Sequence, residues 1–175
     1  MISIIDYKMG NVGSIKNMLS RIGVESVITS DYKVIQSSKG IILPGVGGFD
    51  KAMTNLSQLD LLQFLHSLVI NDKKPILGIC LGMQIMAKSS EEGKLPGLGW
   101  IDAEIKKFRF EIDNINLKIP HMGWNELIQK KESDFLKNMY NNSRFYFVHS
   151  YHMISNKQDD ILTSTSFGYE FVSAV

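Results

Sequence analysis

The first half of the chain alternates short apolar runs with stretches whose apolar residues recur at helical spacing. Four apolar runs have strand character, at residues 2–5, 25–29, 40–43 and 75–79. Two helical stretches lie between them, one at residues 61–69 and one, ended by Gly23, with apolar positions at Val12, Ile15, Leu19 and Ile22. This βαβ pattern predicts an α/β fold of three layers, with a mostly parallel central sheet and helices on both faces.

The second half has a different pattern. Residues 101–105 and 115–119 alternate apolar and polar side chains, as half-buried antiparallel strands do. Further strands are predicted at residues 144–149, 161–166 and 169–175, and a short helix at residues 133–140. Because no repeat, low-complexity tract or linker interrupts the chain, we expect residues 1–175 to form a single domain in which an antiparallel part adjoins the parallel sheet.

Composition narrows the class of protein. The chain has 175 residues, 44% of them hydrophobic, and a net charge of +1, which favours neither a nucleic-acid-binding surface nor an acidic tail. One cysteine excludes an internal disulfide and a cysteine-rich zinc site. The sequence has no basic leader and no apolar run of about 18 residues, so we expect a cytoplasmic protein.

The single cysteine, Cys80, follows the fourth predicted strand and precedes a run of helix-forming residues, 81–88. Gly78 and Gly82 flank it in the G-x-C-x-G pattern of a nucleophile elbow, a sharp strand-to-helix turn. A lone cysteine is more often a buried structural residue, but the flanking glycines favour a nucleophile. Backbone N–H groups and the helix dipole would favour its thiolate, and the Leu81 N–H would stabilise an oxyanion.

A glycine-rich loop at residues 44–49 follows the third predicted strand. It lacks the ending of a P-loop and the spacing of a dinucleotide-binding fingerprint, and alone it indicates only a turn. The carboxyl ends of parallel strands lie at one edge of a sheet, so the loop should lie near Cys80. It can then supply the second N–H donor that acyl transfer requires.

Other polar residues have two interpretations each. Asn11 either caps the first helix or lies at the mouth of the site. Glu91 and Glu92 are either a solvated pair or a carboxylate group that binds a substrate ammonium. Ser150 and the adjacent backbone are suited to hydrogen bonding with a polar substrate.

A cysteine nucleophile also needs a general base. The chain has four histidines, and none lies in a His-Pro-Glu or His-x-Asp/Glu arrangement: His66, His121, His149 and His152. A metal pair of His149 and His152 is disfavoured because no carboxylate or cysteine lies nearby in the sequence. No metal site is therefore expected, and the base remains unassigned.

The motifs together resemble a known family, the class I (triad type) glutamine amidotransferases, over essentially the whole chain. More narrowly, they are similar to the glutaminase subunit of imidazole glycerol phosphate synthase, from histidine biosynthesis. The resemblance is carried by Ile-Ile-Asp-Tyr…Gly-Asn at 4–11, Leu-Pro-Gly-Val-Gly-Gly-Phe at 43–49, Gly-Ile-Cys-Leu-Gly-Met-Gln at 78–84, Gly-Leu-Gly-Trp at 97–100, Pro-His-Met-Gly-Trp-Asn at 120–125 and Tyr-Phe-Val-His-Ser-Tyr at 146–151.

The resemblance implies that Cys80 attacks the side-chain amide of glutamine. The N–H of Leu81 and an N–H around Val46 and Gly47 would stabilise the tetrahedral oxyanion. Ammonia then leaves, and water hydrolyses the thioester to glutamate. The family pattern requires no metal and no organic cofactor.

The resemblance also assigns binding residues. Gln84 and Glu92 would hold the amino-acid end of glutamine, with help from Ser150 and Tyr151. Ammonia would pass to a (β/α)₈-barrel cyclase subunit in a heterodimer, and Asn11 and the loop that begins at Pro44 match family positions at that interface.

The chain departs from the family pattern at its end. Family members continue into a Gly-Val-Gln-Phe-His-Pro-Glu segment that carries the triad histidine and glutamate, whereas this sequence stops at Val175. We therefore expect the chain as given to lack the complete triad and to have little or no glutaminase activity.

Three alternatives remain open from the sequence. A paralogous subunit supplies ammonia for amidination of surface-polysaccharide sugars, and Lys8 and Gly48, at variable family positions, are compatible with it. A truncated, non-catalytic subunit would still bind the barrel. A cysteine-elbow hydrolase or redox sensor of the related fold is disfavoured because such proteins often have histidine where this chain has Leu81.

Overall fold

The computed structural model describes residues 1–110, 117–140 and 143–175, and these form two compact units, Met1–Trp100 and Ile101–Val175. The single-domain expectation stays a prediction, and each unit is described by itself. The strand expected at residues 115–119 lies partly outside the described residues, and Leu117 and Ile119 belong to no strand.

The first unit contains a parallel sheet with the strand order β2-β1-β3-β4. Its strands are β1 (Ile2–Ile5), β2 (Ser26–Thr29), β3 (Ile41–Leu43) and β4 (Ile76–Gly78), and a short fifth strand, β5, spans Ser89–Ser90. Its helices are α1 (Val12–Arg21), α2 (Tyr32–Ser37), α3 (Phe49–Gln58), α4 (Leu61–His66), a π-helical turn at Ser67–Asn71, and α5 (Leu81–Gln84). The predicted α/β class is confirmed.

The strand order places the loops that concern function at one edge of this sheet. The chain moves from β1 outward to β2, then crosses back to β3 and on to β4, so right-handed crossovers put α1 and the α3–α4 pair on opposite faces. The reversal lies between β1 and β3. Ligands of such sheets bind beyond the carboxyl ends of the strands at this reversal.

Two helices of the first unit were not predicted, and both have recognisable signals. Asp31 caps α2, because its side chain accepts a hydrogen bond from the Val34 N–H at 3.0 Å. In α3, the buried apolar residues Phe49, Ala52, Met53 and Leu56 recur at helical spacing within an otherwise polar segment.

The helix after Cys80 is shorter than predicted, ending at Gln84 instead of continuing to Lys88. After Gln84 the turns are tighter than those of an α-helix: the Met86 N–H donates to the Met83 carbonyl and the Ala87 N–H to the Gln84 carbonyl, both at 3.1 Å and three residues back instead of four. Glu92 consequently lies on an irregular segment after β5 and not at the end of this helix.

The second unit is antiparallel, as its alternating pattern predicted. Its strands are β6 (Ala103–Lys107), β7 (His121–Glu126), β8 (Ile128–Gln129), β9 (Arg144–His149), β10 (Tyr151–Ser155), β11 (Thr163–Phe167) and β12 (Tyr169–Ala174), with a 3₁₀ turn at Gln158–Asp160. One sheet includes the order β6-β10-β12-β11-β8, and β7 pairs with β9 in a separate ribbon. The buried ring of Phe108 lies among the rings of His152, Phe167 and Phe171.

The helix predicted at residues 133–140 is wrong. The segment forms turns, in which Leu136 N–H donates to the Ser133 carbonyl and Met139 N–H to the Leu136 carbonyl. Its large side chains Phe135 and Tyr140 are 68% and 86% exposed, so no apolar face packs. A segment this short does not hold a helix without such packing.

Candidate active site

Cys80 occupies the turn between β4 and α5 with a backbone conformation that side-chain-bearing residues rarely adopt. Its φ is 55° and its ψ is −116°. Such strain persists only where the surrounding structure enforces it, and it is frequent at functional sites. A strained cysteine between a parallel strand and a helix has the geometry of a nucleophile elbow.

The glycines around Cys80 allow strand and helix to cross closely. A Cβ at Gly82 would lie 1.8 Å from the Leu43 carbonyl oxygen, and one at Gly78 would lie 2.8 Å from the Met83 backbone nitrogen. A Cβ at Gly45 would lie 2.7 Å from the Gly82 nitrogen. The predicted role of the flanking glycines therefore has a direct steric cause, which extends to the glycine-rich loop.

The loop after β3 lies beside the elbow and is anchored by Tyr7. The Tyr7 hydroxyl, fully buried, donates to the Pro44 carbonyl at 2.5 Å. Burial raises the pKa of Tyr7, and the charge of a Cys80 thiolate raises it further. Beyond this anchor Val46 is 67% exposed and Gly47 has a φ of 117°.

The thiol of Cys80 reaches solvent, yet three influences act on its ionisation. Desolvation by the surrounding protein is the largest and raises the pKa of Cys80; the Leu81 backbone N–H lowers it, and the Glu92 carboxylate raises it again. Desolvation outweighs the effect of the Leu81 N–H on the thiol, and the expected role of this N–H at the oxyanion stays a prediction. The thiol is therefore more protonated near neutral pH than a free cysteine, and a base would be needed to activate it.

Glu92 is brought to the same edge from a distant part of the chain. Its Oε2 accepts a hydrogen bond from the Phe49 N–H at the beginning of α3, at 3.0 Å. Gln84 ends α5 and is half-buried. The first unit thus brings Cys80, Leu81 and Glu92 together and holds the Pro44 loop next to them.

The other predicted site residues have different surroundings. Asn11 caps α1, since its Oδ1 accepts from the Ser14 N–H at 3.1 Å. Pro44 is buried, and its carbonyl is the acceptor for Tyr7. Ser150 and Tyr151 belong to the second unit. The Ser150 carbonyl accepts from the Phe108 N–H at 3.1 Å, and the Tyr151 carbonyl accepts from His149 Nδ1 at 2.7 Å. Their assigned roles in binding stay predictions.

The four histidines have partners of their own. His66 Nδ1 accepts from Trp100 Nε1 at 3.2 Å. His149 Nδ1 donates to the Tyr151 carbonyl, so its Nε2 is free to accept from His121 Nδ1 at 3.0 Å. His152 lies 2.9 Å from the Tyr169 hydroxyl. The first unit, Met1–Trp100, contains only one of the four, His66.

Sequence reasoning missed two residues near the elbow. Tyr7 carried no signal beyond its place in a family motif, because its role depends on a contact 37 residues along the chain. Asp50 accepts hydrogen bonds from the N–H groups of Lys94 and Leu95 at 2.9 Å. An acidic residue in the first turn of a helix was its only sequence signal.

A profile of the family "Glutamine amidotransferase class-I" matches residues 3–174 of the chain. The chain belongs to this family. The resemblance inferred from the elbow and the loops is thereby confirmed. Two solved structures agree at the level of fold: a glutamine amidotransferase, with a TM-score of 0.66, 15% identity and coverage of 93% of this chain and 78% of that one, and a GMP synthase subunit from Thermoplasma acidophilum, with a TM-score of 0.63, 20% identity and coverage of 94% and 72%.

Curated relatives are more similar in sequence than these two structures, and they indicate one branch of the family. Imidazole glycerol phosphate synthase subunit HisH 2 of Methanococcus maripaludis is 52% identical over 178 residues, which cover 100% of this chain and 85% of the relative. Imidazole glycerol phosphate synthase subunit HisH 2 of Pseudomonas aeruginosa is 43% identical and covers 100% of this chain and 85% of the relative. Subunit HisH of Leptospira borgpetersenii is 42% identical and covers 100% of this chain and 86% of the relative.

Two further observations concern the class of site. Among residues 1–110, 117–140 and 143–175, no group of three or more His, Cys, Asp or Glu side chains could hold a metal ion. In the same part of the chain, no helix is both long and apolar enough to cross a bilayer.

Proposed function

We propose that the chain is the glutaminase subunit of an imidazole glycerol phosphate synthase in histidine biosynthesis. In this proposal it hydrolyses glutamine to glutamate and passes the ammonia to a cyclase subunit. The observation that carries the proposal is the strained cysteine elbow of Cys80 in a chain whose relatives bear that enzyme's name. Those names also favour this function over the surface-polysaccharide alternative.

The chemistry follows from the groups at the elbow. The Cys80 sulfur attacks the amide carbon of glutamine, and the carbonyl oxygen takes up the negative charge. In this proposal the Leu81 N–H, which lowers the pKa of Cys80, and an N–H of Val46 or Gly47 stabilise that oxyanion. A proton transfers to the leaving nitrogen, ammonia departs, and water cleaves the thioester to give glutamate and the free thiol.

In this proposal glutamine is recognised by attraction between its ammonium group and a carboxylate at the site. Glu92 is the acidic side chain close enough to affect the ionisation of Cys80, so it is suited to hold the substrate's ammonium group. Gln84, on the helix that follows the elbow, assists it, and we assign Ser150 and Tyr151 the same supporting role.

The test of the nucleophile is covalent labelling by the chloroketone analogue of glutamine. We expect a mass increase confined to the peptide that contains Cys80, slowed by added glutamine and absent in Cys80→Ser. Labelling that glutamine does not slow would contradict a glutamine site.

The proposal assigns no general base to Cys80, since the histidine of the first unit, His66, is engaged by Trp100. The expectation of little or no glutaminase activity stays a prediction. Ammonia release from glutamine, measured with a cyclase partner present, tests it, and turnover close to that of the Methanococcus relative would contradict it.

Docking of a (β/α)₈-barrel cyclase is supported by one exposed surface, the ribbon face, formed by Met122, Trp124, Tyr146 and Val148 on β7 and β9. These side chains are 61%, 67%, 54% and 52% exposed, and Trp124 lies opposite Tyr146 with ring centroids 5.6 Å apart. Contiguous exposed aromatic area of this kind is typical of protein interfaces. Asn11 and the Pro44 loop are assigned to the same partner from the family pattern.

A further inference from the structure

The beginning of α3 and the segment that carries Glu92 hold each other through reciprocal hydrogen bonds. In one direction, the Phe49 N–H donates to Glu92 Oε2 at 3.0 Å. In the other, Asp50 Oδ1 accepts from the Lys94 and Leu95 N–H groups, both at 2.9 Å, and Oδ2 accepts from Lys94 at 3.0 Å. Two carboxylates from separate parts of the chain thus bind each other's backbones, an arrangement we name the carboxylate clamp.

The fit of the carboxylate clamp is close. A Cβ at Gly93, between Glu92 and Lys94, would lie 2.0 Å from Asp50 Oδ1. Asp50 therefore lies directly against the backbone of that segment. The Lys94 and Leu95 N–H groups also lower the pKa of Asp50, so the carboxylate keeps its charge at any pH near neutrality.

The segment needs this support because it has no regular structure between Glu91 and Leu95. Near Glu92, two other bonds are local: its own N–H donates to Ser90 Oγ at 3.1 Å, and the Gly93 N–H donates to the Ser90 carbonyl at 3.3 Å. Charge-assisted hydrogen bonds to backbone N–H groups are stronger than neutral ones. Asp50 thus supplies the anchor directly after Glu92 in the chain.

We infer that Asp50 is a positioning residue that holds Glu92 at the elbow and thereby sets glutamine recognition. The identity of the substrate in this inference rests on the proposed function, whereas the hydrogen bonds between Asp50 and the Glu92 segment do not depend on it. Asp50 acts through the backbone that presents Glu92, since its carboxylate accepts from the Lys94 and Leu95 N–H groups. A misplacement of about 1 Å in such a group lowers reaction rates by up to about a hundredfold.

The experiment compares two reagents on the full chain, the chloroketone analogue of glutamine and iodoacetamide. Both alkylate Cys80, but only the first has an ammonium group for Glu92. In Asp50→Asn we expect the ratio of the two rate constants to fall roughly ten- to hundredfold. Asp31→Asn is the matched control, because Asp31 also accepts a backbone N–H, at the start of α2, and should leave the ratio unchanged.

The pH midpoint of iodoacetamide labelling distinguishes a loss of Glu92 positioning from a general loosening of the structure around Cys80. Glu92 raises the pKa of Cys80, so Glu92→Gln should lower the midpoint. If Asp50 acts through Glu92, Asp50→Asn should lower it as well, and the double variant should match Glu92→Gln alone. A shift from Asp50→Asn that persists undiminished in the Glu92→Gln background would overturn the inference, as would no shift in either background.

Two further outcomes are distinguishable. Should Asp50→Asn fail to fold, Asp50→Glu retains the charge but displaces the acceptor, and it too should lower the rate ratio; an unchanged ratio would overturn the inference. If the unsubstituted chain shows no preference for the glutamine analogue over iodoacetamide, relative to a free thiol such as glutathione, the proposed function fails. In that case the pH midpoints of Asp50→Asn, Glu92→Gln and the double variant still decide whether Asp50 holds Glu92.

Discussion

Gly82 shows how few atoms decide the geometry around Cys80. Its missing side chain admits the Leu43 carbonyl, which would lie 1.8 Å from a Cβ. The clash is with backbone on both sides, so no side-chain rotation can relieve it. We expect Gly82→Ala to destabilise the chain by several kcal/mol, about 3 or more, and to abolish Cys80 labelling, as measured by denaturant unfolding and mass spectrometry.

The matched control for Gly82→Ala is Gly13→Ala, within α1. There the nearest atom to a new Cβ would be Asn11 Oδ1, at 3.8 Å, an ordinary contact. Alanine favours a helix over glycine by about 1 kcal/mol, so this variant should be slightly more stable and label normally. Equal stability of the two variants would show that β3 and α5 do not approach as described.

Tyr7 offers a second test, of the loop beside the elbow. Tyr7→Phe removes the buried donor of the Pro44 carbonyl and should cost about 1–3 kcal/mol in the free energy of unfolding. Tyr32→Phe is the control, because its hydroxyl donates to the Leu59 and Asp60 carbonyls in an exposed setting. A Tyr7→Phe loss no larger than that of Tyr32→Phe would contradict the anchoring role of Tyr7.

Strands and helices were predictable where one physical rule dominated. The strands β1 to β4 are short, mostly apolar runs, of which β1 and β3 are the buried ones, and α1 has clean helical spacing with a cap at Asn11. Residues 133–140 failed because propensity without a packing surface does not make a helix. The early end of α5 could not be foreseen, since the run of helix-forming residues continues past Gln84, where the chain changes to tighter turns.

The candidate site divides in the same way. Cys80 and its glycines form a local motif, and Leu81 follows directly, so the sequence predicted this part. Tyr7 and Asp50 act across long separations in the chain and became visible only with the fold. A sequence motif identifies a local turn by its residue spacing, whereas a carboxylate or hydroxyl that binds backbone far along the chain has no characteristic spacing.

The β7–β9 ribbon contains a titratable pair with a consequence for stability. Burial, and secondarily His149, lower the pKa of His121 from 6.5 to about 4, and burial lowers that of His149. Below pH 6.5 the unfolded chain therefore binds more protons than the folded one. The free energy of unfolding should fall by about 1–3 kcal/mol between pH 6.5 and about 4, and this contribution should be constant below that range.

Urea unfolding at a series of pH values measures this slope. His121→Gln should flatten it between pH 6.5 and 4, because the glutamine cannot take up a proton. A slope that persists in His121→Gln would assign the pH dependence to other groups.

The whole chain combines a near-neutral charge with an exposed aromatic surface. A net charge of +1 gives little long-range attraction for a partner. The ribbon face instead offers apolar area around Trp124 and Tyr146. Association should therefore depend on apolar burial at this face and respond only weakly to salt.

Trp124→Ser tests the ribbon face against the proposed partner, a cyclase subunit of imidazole glycerol phosphate synthase. Trp124 is 67% exposed and contacts Tyr146, so its loss should leave folding and Cys80 labelling nearly unchanged. Affinity, measured by calorimetry, should fall by about tenfold or more, since aromatic side chains at the centre of an interface contribute about 2 kcal/mol or more. Phe135→Ser is the control, because Phe135 is equally exposed, at 68%, but lies in the turns of residues 133–140. If both variants bind as the unsubstituted chain does, the partner docks elsewhere; if both weaken binding equally, the effect is loss of exposed apolar area in general and not recognition at the ribbon.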